Sequence, residues 1–509
     1  MAEGRSSFSS ADTAHGLAKR RLVKGYCGGL FGRELEGSKF SKIDQDEYLL
    51  AYIDGFSWRG EYDSRDKRGQ KFHADNSEED DEEEEADKDD IAFWGSPIIA
   101  LDRGLDRCQQ IFARGVFRIF LAPFLAIHFL FNDTERENII HLYKLTKTWM
   151  AKYGWRQEKH NPNLDDKWPH EEGRNFSRLW RFDLPEGSPW LIRTTFTVGQ
   201  FKNIQIPKAR KTFTLIDPCG IKQIPFEAIN RFLGPSKEVF INLMVWTIRR
   251  SSANPKHENV IKELFGNEEA TSVIRSYEKC PEWKCKPKSG NCCLKRAYRK
   301  YVRYYSKRIA GVCQSHTAPV EAVHFLFSKG KKNKDVGDQF YMVYFSCDMD
   351  LKMVKIMKDS MQPNVQTRED GLRHTDYYSF HGIKIPFGRK TTDEEEKKEI
   401  YKFFKGRKIK LYKLKHWILV RSPFTFHSRP LQQLERERLI TVDTFGEPRR
   451  RMNFKATEFT RQRNNWVVTF HLQPQPEPIP TCEHCGHTTK TKAGMSLHIR
   501  KKHSCGRLE

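Results

Sequence analysis

The C-terminal stretch CEHCGHTTKTKAGMSLHIRKKH carries four residues of the types that bind zinc: Cys482, Cys485, His498 and His503. Two residues separate the cysteines, twelve separate Cys485 from His498, and four separate the histidines. A Cys-x-x-Cys knuckle presents two thiolates from one turn, and two histidines on one helix complete a tetrahedron. With Leu497 as its small apolar core, the spacing predicts a ββα zinc finger over 481–505. Lys490, Lys492, Arg500, Lys501 and Lys502 suit phosphate contact better than base reading. A lone finger spans about three base pairs, so the motif also fits a finger that binds RNA, a protein, or only its zinc. A second cluster, Cys280, Cys285, Cys292 and Cys293, has spacings of four and six. It fits either a second metal site or a basic loop with free thiols. Neighbouring thiols at Cys292 and Cys293 cannot readily share one ion, which favours the loop.

Two further places hold chemistry at the end of an apolar run. In AYIDGFSWRGEY (Ala51–Tyr62) the run ends at Asp54 and enters a glycine-bearing loop. Glycine there lets backbone approach a ligand, and a carboxylate there can accept hydrogen bonds from an amine. Asp54 fits a cap or a turn residue equally well. KTFTLID (Lys211–Asp217) ends likewise, in Asp217-Pro218-Cys219-Gly220.

These residues need strands to hold them. YIDG, AIHFLFND, KTFTLID and EVFINLMVW read as short buried strands, and AVHFLFS with QFYMVYFSC reads as an antiparallel pair. Thr134–Tyr153 has Ile139, Leu142, Leu145 and Trp149 at helical spacing. Strands alternating with helices and closed by a late hairpin predict an α/β sandwich with a mostly parallel, Rossmann-like sheet. Residues 1–40, rich in Ser, Gly and Arg, are expected to be a disordered N-terminal segment, with a short helix near 41–50 leading into the first strand.

The net charge is +23 over 509 residues, but it is uneven. Asp75–Asp90 holds twelve acidic residues and one lysine, an insertion too charged to bury anything. Setting its −11 aside leaves +34 on the rest of the chain. A field of that size favours nucleic acid, DNA or RNA, as partner. Twelve scattered cysteines do not make a short secreted disulfide framework. The longest apolar-rich run, Gly115–Asn132, is broken by Arg118, Pro123 and His128, which argues against a membrane span. An intracellular location is expected, nuclear in preference to cytoplasmic on the strength of the finger and basic runs such as Arg449–Arg451.

Near Thr391 the pattern changes. DEEEKKEIYKFFKG, LYKLKHWILVR and RPLQQLERERLITV read as helices, the last running into a strand. RRRMNFKATEF and NNWVVTFHL read as a two-stranded ribbon. Three helices and then a ribbon predict a winged-helix-like α+β domain over 390–472. QPQPEPIP (Gln473–Pro480) is a Pro-rich linker to the finger.

The ordered blocks YIDGFSWRGEY, GSPIIAL, FLFNDTE, FTLIDPCG, IKELFG and FYMVYFS resemble the three-Cys-motif partner (TcmP) family, whose members look like class I S-adenosylmethionine-dependent methyltransferases. The resemblance spans 41–365, outside the acidic insertion (75–90) and the finger. It implies that Asp54, Gly55, Phe56 and Gly60 face the cofactor, with Gly95, Ser96 and Pro97 lining the next loop. It also implies that Asp133 takes the ribose hydroxyls, with Glu135 as the fallback. The family loop resembles Asp-Gly-Phe-Ala-Gly-Pro-Gly, and here Ser57, Trp58 and Arg59 stand in its middle.

In amino-group methyltransferases a turn similar to Asp217-Pro218 aims an oxygen at the target nitrogen, and an aromatic residue stacks on the flipped base. Gly220 stands at that aromatic position here. A Pro-Cys dipeptide such as Pro218-Cys219 serves as the nucleophile in cytosine carbon-five methylation. The plainer alternative for Cys219 is a small buried residue in a strand-end turn. Two functions fit these residues. One is a nucleic-acid methyltransferase with Asp217, Pro218 and Cys219 at the acceptor. The other is a non-catalytic nucleic-acid-binding or adaptor protein on a degenerate methyltransferase scaffold. Metal analysis is expected to give one zinc per chain, lost on Cys482→Ser; two or more would revive the Cys280–Cys293 cluster as a site.

Overall fold

A computed structural model of the chain describes residues 14–37, 47–57, 94–114, 124–158, 175–184, 189–278, 291–314, 321–328, 339–346, 377–380, 383–386, 392–422, 424, 426, 428–444 and 466–473. They fall into two compact units that divide at Thr391, with His416–Thr425 grouped with the first.

The first unit is built on a nine-stranded sheet. Its strands are β1 (Tyr48–Asp54), β2 (Phe124–Asp133), β3 (Arg156–Gln157), β4 (Asn175–Phe182), β5 (Trp190–Val198), β6 (Ala209–Ile216), β7 (Lys237–Leu243), β8 (Glu321–Ser328) and β9 (Gln339–Ser346). Their spatial order is β3-β4-β5-β2-β1-β6-β7-β9-β8. β5, β2, β1, β6 and β7 run parallel, with Asp54 beside Phe131 on one side and Leu215 on the other. β9 enters antiparallel between β7 and β8. The antiparallel pair β3–β4 extends the far edge. The seven-stranded part, β5-β2-β1-β6-β7-β9-β8, is therefore a mostly parallel, Rossmann-like sheet closed by the expected late hairpin. The chain winds outward from β1 through β2 to β5, then returns to β6. The switch in strand order thus lies between β1 and β6, where open α/β sheets hold ligands beyond the carboxyl ends of their strands.

A parallel strand covered on both faces must be apolar along its length. Every residue of β1 is buried, as YLLAYID suggests. One face packs against a cluster that includes Ile53, Ile216, Val239, Phe265 and Tyr301. On the other lie α1 (Ala14–Gly37) and α2 (Ser96–Ala113). Gly104 lets α2 lie flat on the sheet, because a Cβ there would meet the Phe129 ring at 2.7 Å. After β2 comes α3 (Arg136–Lys152), within the span expected to be helical. After β7 come α4 (Val245–Ser252), α5 (Glu258–Phe265), α6 (Ala270–Glu278) and α7 (Asn291–Gln314).

The expectation of a loose 1–40 is corrected for most of its length: Ala14–Gly37 is helical. Tyr26, Cys27, Leu30, Phe31 and Leu35 are all buried. The glycines between them hid this amphipathic face, and tertiary packing outweighs their poor helix propensity. The Tyr26 ring lies 4.6 Å from Phe213, and its hydroxyl donates to Glu238. Lys211 Nζ lies 3.1 Å from Glu238 and 3.6 Å from Glu34, so a buried ionic cluster ties α1 to β6 and β7.

The second unit holds α8 (Asp393–Phe404), α9 (Leu411–His416) up to Lys415, α10 (Ser428–Arg436) and a three-stranded antiparallel sheet. α8 opens with a capping box: Thr392 Oγ1 accepts from Glu395 N at 3.2 Å, and Glu395 Oε2 accepts from Thr392 N at 3.0 Å. The sheet runs in the order Lys408–Lys410, Val467–Phe470, Ile440–Asp443. The partners of Val467–Phe470 are thus two short strands flanking the helical stretches, while RRRMNFKATEF, expected to form its ribbon partner, lies outside the described residues. Phe404 stacks on Phe470 at 5.4 Å, and Ile400, Leu414, Leu431 and Leu434 are buried.

Removing one partner of a buried ion pair leaves the other charge stranded. Lys211→Met is expected to cost about 3–5 kcal/mol of unfolding free energy by that mechanism, with part recovered when Glu238→Gln is added. Denaturant titration of both variants measures this; a negligible loss would mean that water reaches Glu238.

Candidate active site

Three carboxylates lie along the carboxyl edge of the parallel strands. Asp54 is the last residue of β1 and Asp133 the last of β2, while Asp217 directly follows β6. Alternation along β1 sends Asp54 to the same face as Tyr52, under the start of α2. There Ser96 Oγ donates to Asp54 Oδ2 at 2.6 Å, and Phe56 N donates to Oδ1 at 3.2 Å. Tyr52 adds a longer bond at 3.4 Å. Gly95 is the residue before α2, and Pro97 stands in its first turn, so the helix begins over this carboxyl group.

The turn after Asp54 is held from the two neighbouring strands, β6 and β2. Gly55 N donates to Leu215 O at 3.0 Å. Ser57 N donates to Asn132 O at 2.8 Å, while Asn132 N donates to Ser57 Oγ at 3.1 Å. Asn132 Nδ2 reaches Gly55 O at 3.0 Å and Gly199 O at 3.2 Å, joining the ends of β1 and β5 through β2. Gly55 must be glycine, since a Cβ would lie 2.7 Å from the Phe201 ring. That ring stacks on Phe56 at 5.3 Å and on Phe232 at 4.9 Å, so Phe56 helps to floor the turn.

Asp133 Oδ1 accepts from Glu135 N at 2.8 Å and from Asn138 Nδ2 at 3.2 Å. These bonds fix its side chain at the mouth of α3, and Glu135 is exposed beside it. Asp217 Oδ1 accepts from Asn242 Nδ2 on the neighbouring β7 at 2.7 Å. Pro218 is buried. Cys219 is exposed, which corrects the expectation of a buried turn residue. The turn is closed by Gln223 Oε1, which accepts from Cys219 N and Gly220 N and leaves the thiol on the outside.

Asp54, Gly55, Phe56, Gly95, Asp133, Asp217, Pro218 and Cys219 therefore all lie at this one edge. Gly60, Trp58 and Arg59 lie outside the described residues. So do Cys482, Cys485, His498 and His503, together with Cys280 and Cys285; Cys292 and Cys293 fall within α7. Among the described residues no group of three His, Cys, Asp or Glu forms a metal cluster. Sequence reasoning missed Asn132 and Asn242. Both are polar residues near the end of an otherwise apolar strand, and that interruption was the available signal. Each carboxamide is buried and has an oxygen with no hydrogen-bond partner among the described residues.

No family model matches the chain, and no curated protein matches it. Among solved structures, the chain is similar to the crystal structure of the plantazolicin methyltransferase BamL in complex with a triazolic desmethylPZN analog and SAH. The identity is 10%, over 65% of this chain and 85% of that chain, with a TM-score of 0.20. A TM-score this low carries no argument about function.

Burial pushes the Asp54 carboxyl up from 3.8 to about 7, against the hydrogen bonds from Ser96 and Phe56; the charge of Asp217 adds to the rise. The folded chain then keeps a proton that the unfolded chain has lost, so stability falls as pH rises from about 4 to about 7. At one unit per 1.36 kcal/mol the loss is on the order of 4 kcal/mol. His128, lowered to about 3 by burial and then by Arg193, works in the opposite sense, adding stability as pH rises from 3 to 6.5. Asp54→Asn removes only the first effect. Unfolding at pH 5 and pH 8 is expected to show the variant gaining relative to the native chain at the higher pH. An unchanged difference would mean that the carboxyl is solvated.

Proposed function

We propose that the chain is an S-adenosylmethionine-dependent methyltransferase that acts on nucleic acid. The observation that carries this reading is the set of carboxylates at the switch in strand order of a Rossmann-like sheet, with Asp54 and Asp133 ending two adjacent parallel strands. The residues present fit the cofactor. Among the described residues, Asn132 at this edge has a buried acceptor oxygen without a hydrogen-bond partner. Asp54, Gly55, Phe56, Gly60 and Gly95 would hold its amino-acid end. Asp133 would accept from both ribose hydroxyls, a role that suits a carboxylate. When bound, S-adenosylmethionine supplies an electrophilic methyl group.

At the acceptor end, Asp217 would take a hydrogen bond from the attacking amine, with Asn242 holding its carboxylate in place. Cys219, which is exposed, lies in the same turn. The net positive charge supports nucleic acid as the substrate class. The three helices and three-stranded antiparallel sheet of the second unit support a winged-helix reading. The Cys482, Cys485, His498, His503 spacing supports one zinc finger. Both would add phosphate contacts, and the block order supports TcmP-like ancestry.

A specific observation favours the alternative of a non-catalytic nucleic-acid-binding scaffold: Trp58 and Arg59 stand in the loop where the family carries small residues. Calorimetric titration of S-adenosylmethionine into the zinc-loaded protein separates the two readings. Binding in the micromolar range is expected, weakened at least tenfold in Asp133→Ala by the loss of charge-assisted hydrogen bonds worth about 1.5–3 kcal/mol each. No binding at millimolar ligand would leave the scaffold reading.

A further inference from the structure

In the first unit, among the described residues, Trp246 is the one large apolar side chain that is exposed, at 39%. It belongs to α4, which starts two residues after β7 ends, at the carboxyl edge of the sheet. α4 buries Val245, Ile248, Ser251 and Ser252. Its outer side carries Trp246, Arg249 and Arg250, and the Arg249 guanidinium lies 6.0 Å from the Trp246 ring centre.

This aromatic–cationic pair follows the strand whose Asn242 holds Asp217. Asn242 donates to Asp217 at 2.7 Å, and four residues of chain span at most about 14 Å from Asn242 to Trp246. Space is also available beside the carboxylate: a Cβ at Gly220 would meet nothing within 4 Å, and Cys219 is exposed. Lys222, in the turn after Gly220, is exposed as well. An exposed indole with guanidinium groups one turn away presents a π-face to a base and cations to phosphates. The excess positive charge of the chain favours the same anionic partner.

We propose that Trp246 and Arg249 form a stacking platform for an unpaired nucleobase of single-stranded nucleic acid, beside Asp217. Trp246 thereby supplies, from the helix after β7, the aromatic surface that Gly220 cannot. This rests on the nucleic-acid part of the proposed function and not on cofactor binding.

The test is anisotropy of end-labelled single-stranded oligonucleotides, deoxy and ribo, against the full chain without cofactor. An abasic oligonucleotide of equal length is the control. Base stacking is worth about 1–3 kcal/mol per base, so Trp246→Ala is expected to weaken base-bearing strands roughly 5- to 150-fold. Affinity for the abasic strand should stay unchanged, and Trp246→Phe should keep most of the native affinity. Arg249→Ala should weaken base-bearing and abasic strands alike. Native affinity in Trp246→Ala would overturn the proposal and leave the indole as a protein-docking residue. An equal loss on the abasic strand would overturn it too, and so would a Phe variant as weak as the Ala one. Failure of the S-adenosylmethionine titration would leave these outcomes intact, and the converse holds.

Discussion

The side-chain amide of Asn132 joins the ends of three parallel strands. Its nitrogen bonds the carbonyls of Gly55 and Gly199, and its main chain exchanges bonds with Ser57. Strand ends in a parallel sheet leave their last carbonyls pointing into the crevice, where regular pairing stops. Something must satisfy them without filling the space. A carboxamide does so with two donors, and it leaves one acceptor oxygen over. The turn after β1 is fixed for this reason, with the Phe56 ring on Phe201 and Gly55 packed beneath the same ring.

The same edge concentrates negative charge. Asp54 is buried beneath the start of α2, and Asp217 is near enough to raise its proton affinity. A helix start and the Ser96 hydroxyl offset only part of the desolvation cost. Such an arrangement disfavours the folded state at neutral pH unless a cationic or hydrogen-bond-donating ligand completes it. Perturbed carboxyl groups in a crevice are a recognised signature of sites.

The two units share a strategy at different scales. In the first, helices pack on a nine-stranded mixed sheet whose parallel strands carry the candidate residues at their carboxyl edge. In the second, three helices accompany a three-stranded sheet, where Phe404 stacks on Phe470. The start of its helix α8 is set locally: the Thr392 hydroxyl and the Glu395 carboxylate satisfy each other's backbone amides reciprocally.

By itself, the sequence determined six of the nine strands of the main sheet and their order along the chain, while β3, β4 and β5 were not read from it. Continuous apolar runs such as YLLAYI and VFINL have few ways to be buried other than as central parallel strands. It also determined that Asp54, Asp133 and Asp217 end such runs, because local hydropathy marks where a strand meets solvent. Tertiary structure alone decided which strand ends are neighbours. Asn132 and Asn242 gained their roles only when β2 met β1 and β5, and β7 met β6. It also decided that a glycine-rich N-terminal segment is a packed helix, because burial of Tyr26, Leu30 and Phe31 against the sheet outweighs backbone entropy. The exposure of Cys219 and Trp246 belongs to the same class. Whether a side chain faces water depends on what the rest of the chain places over it, and no window of sequence contains that information.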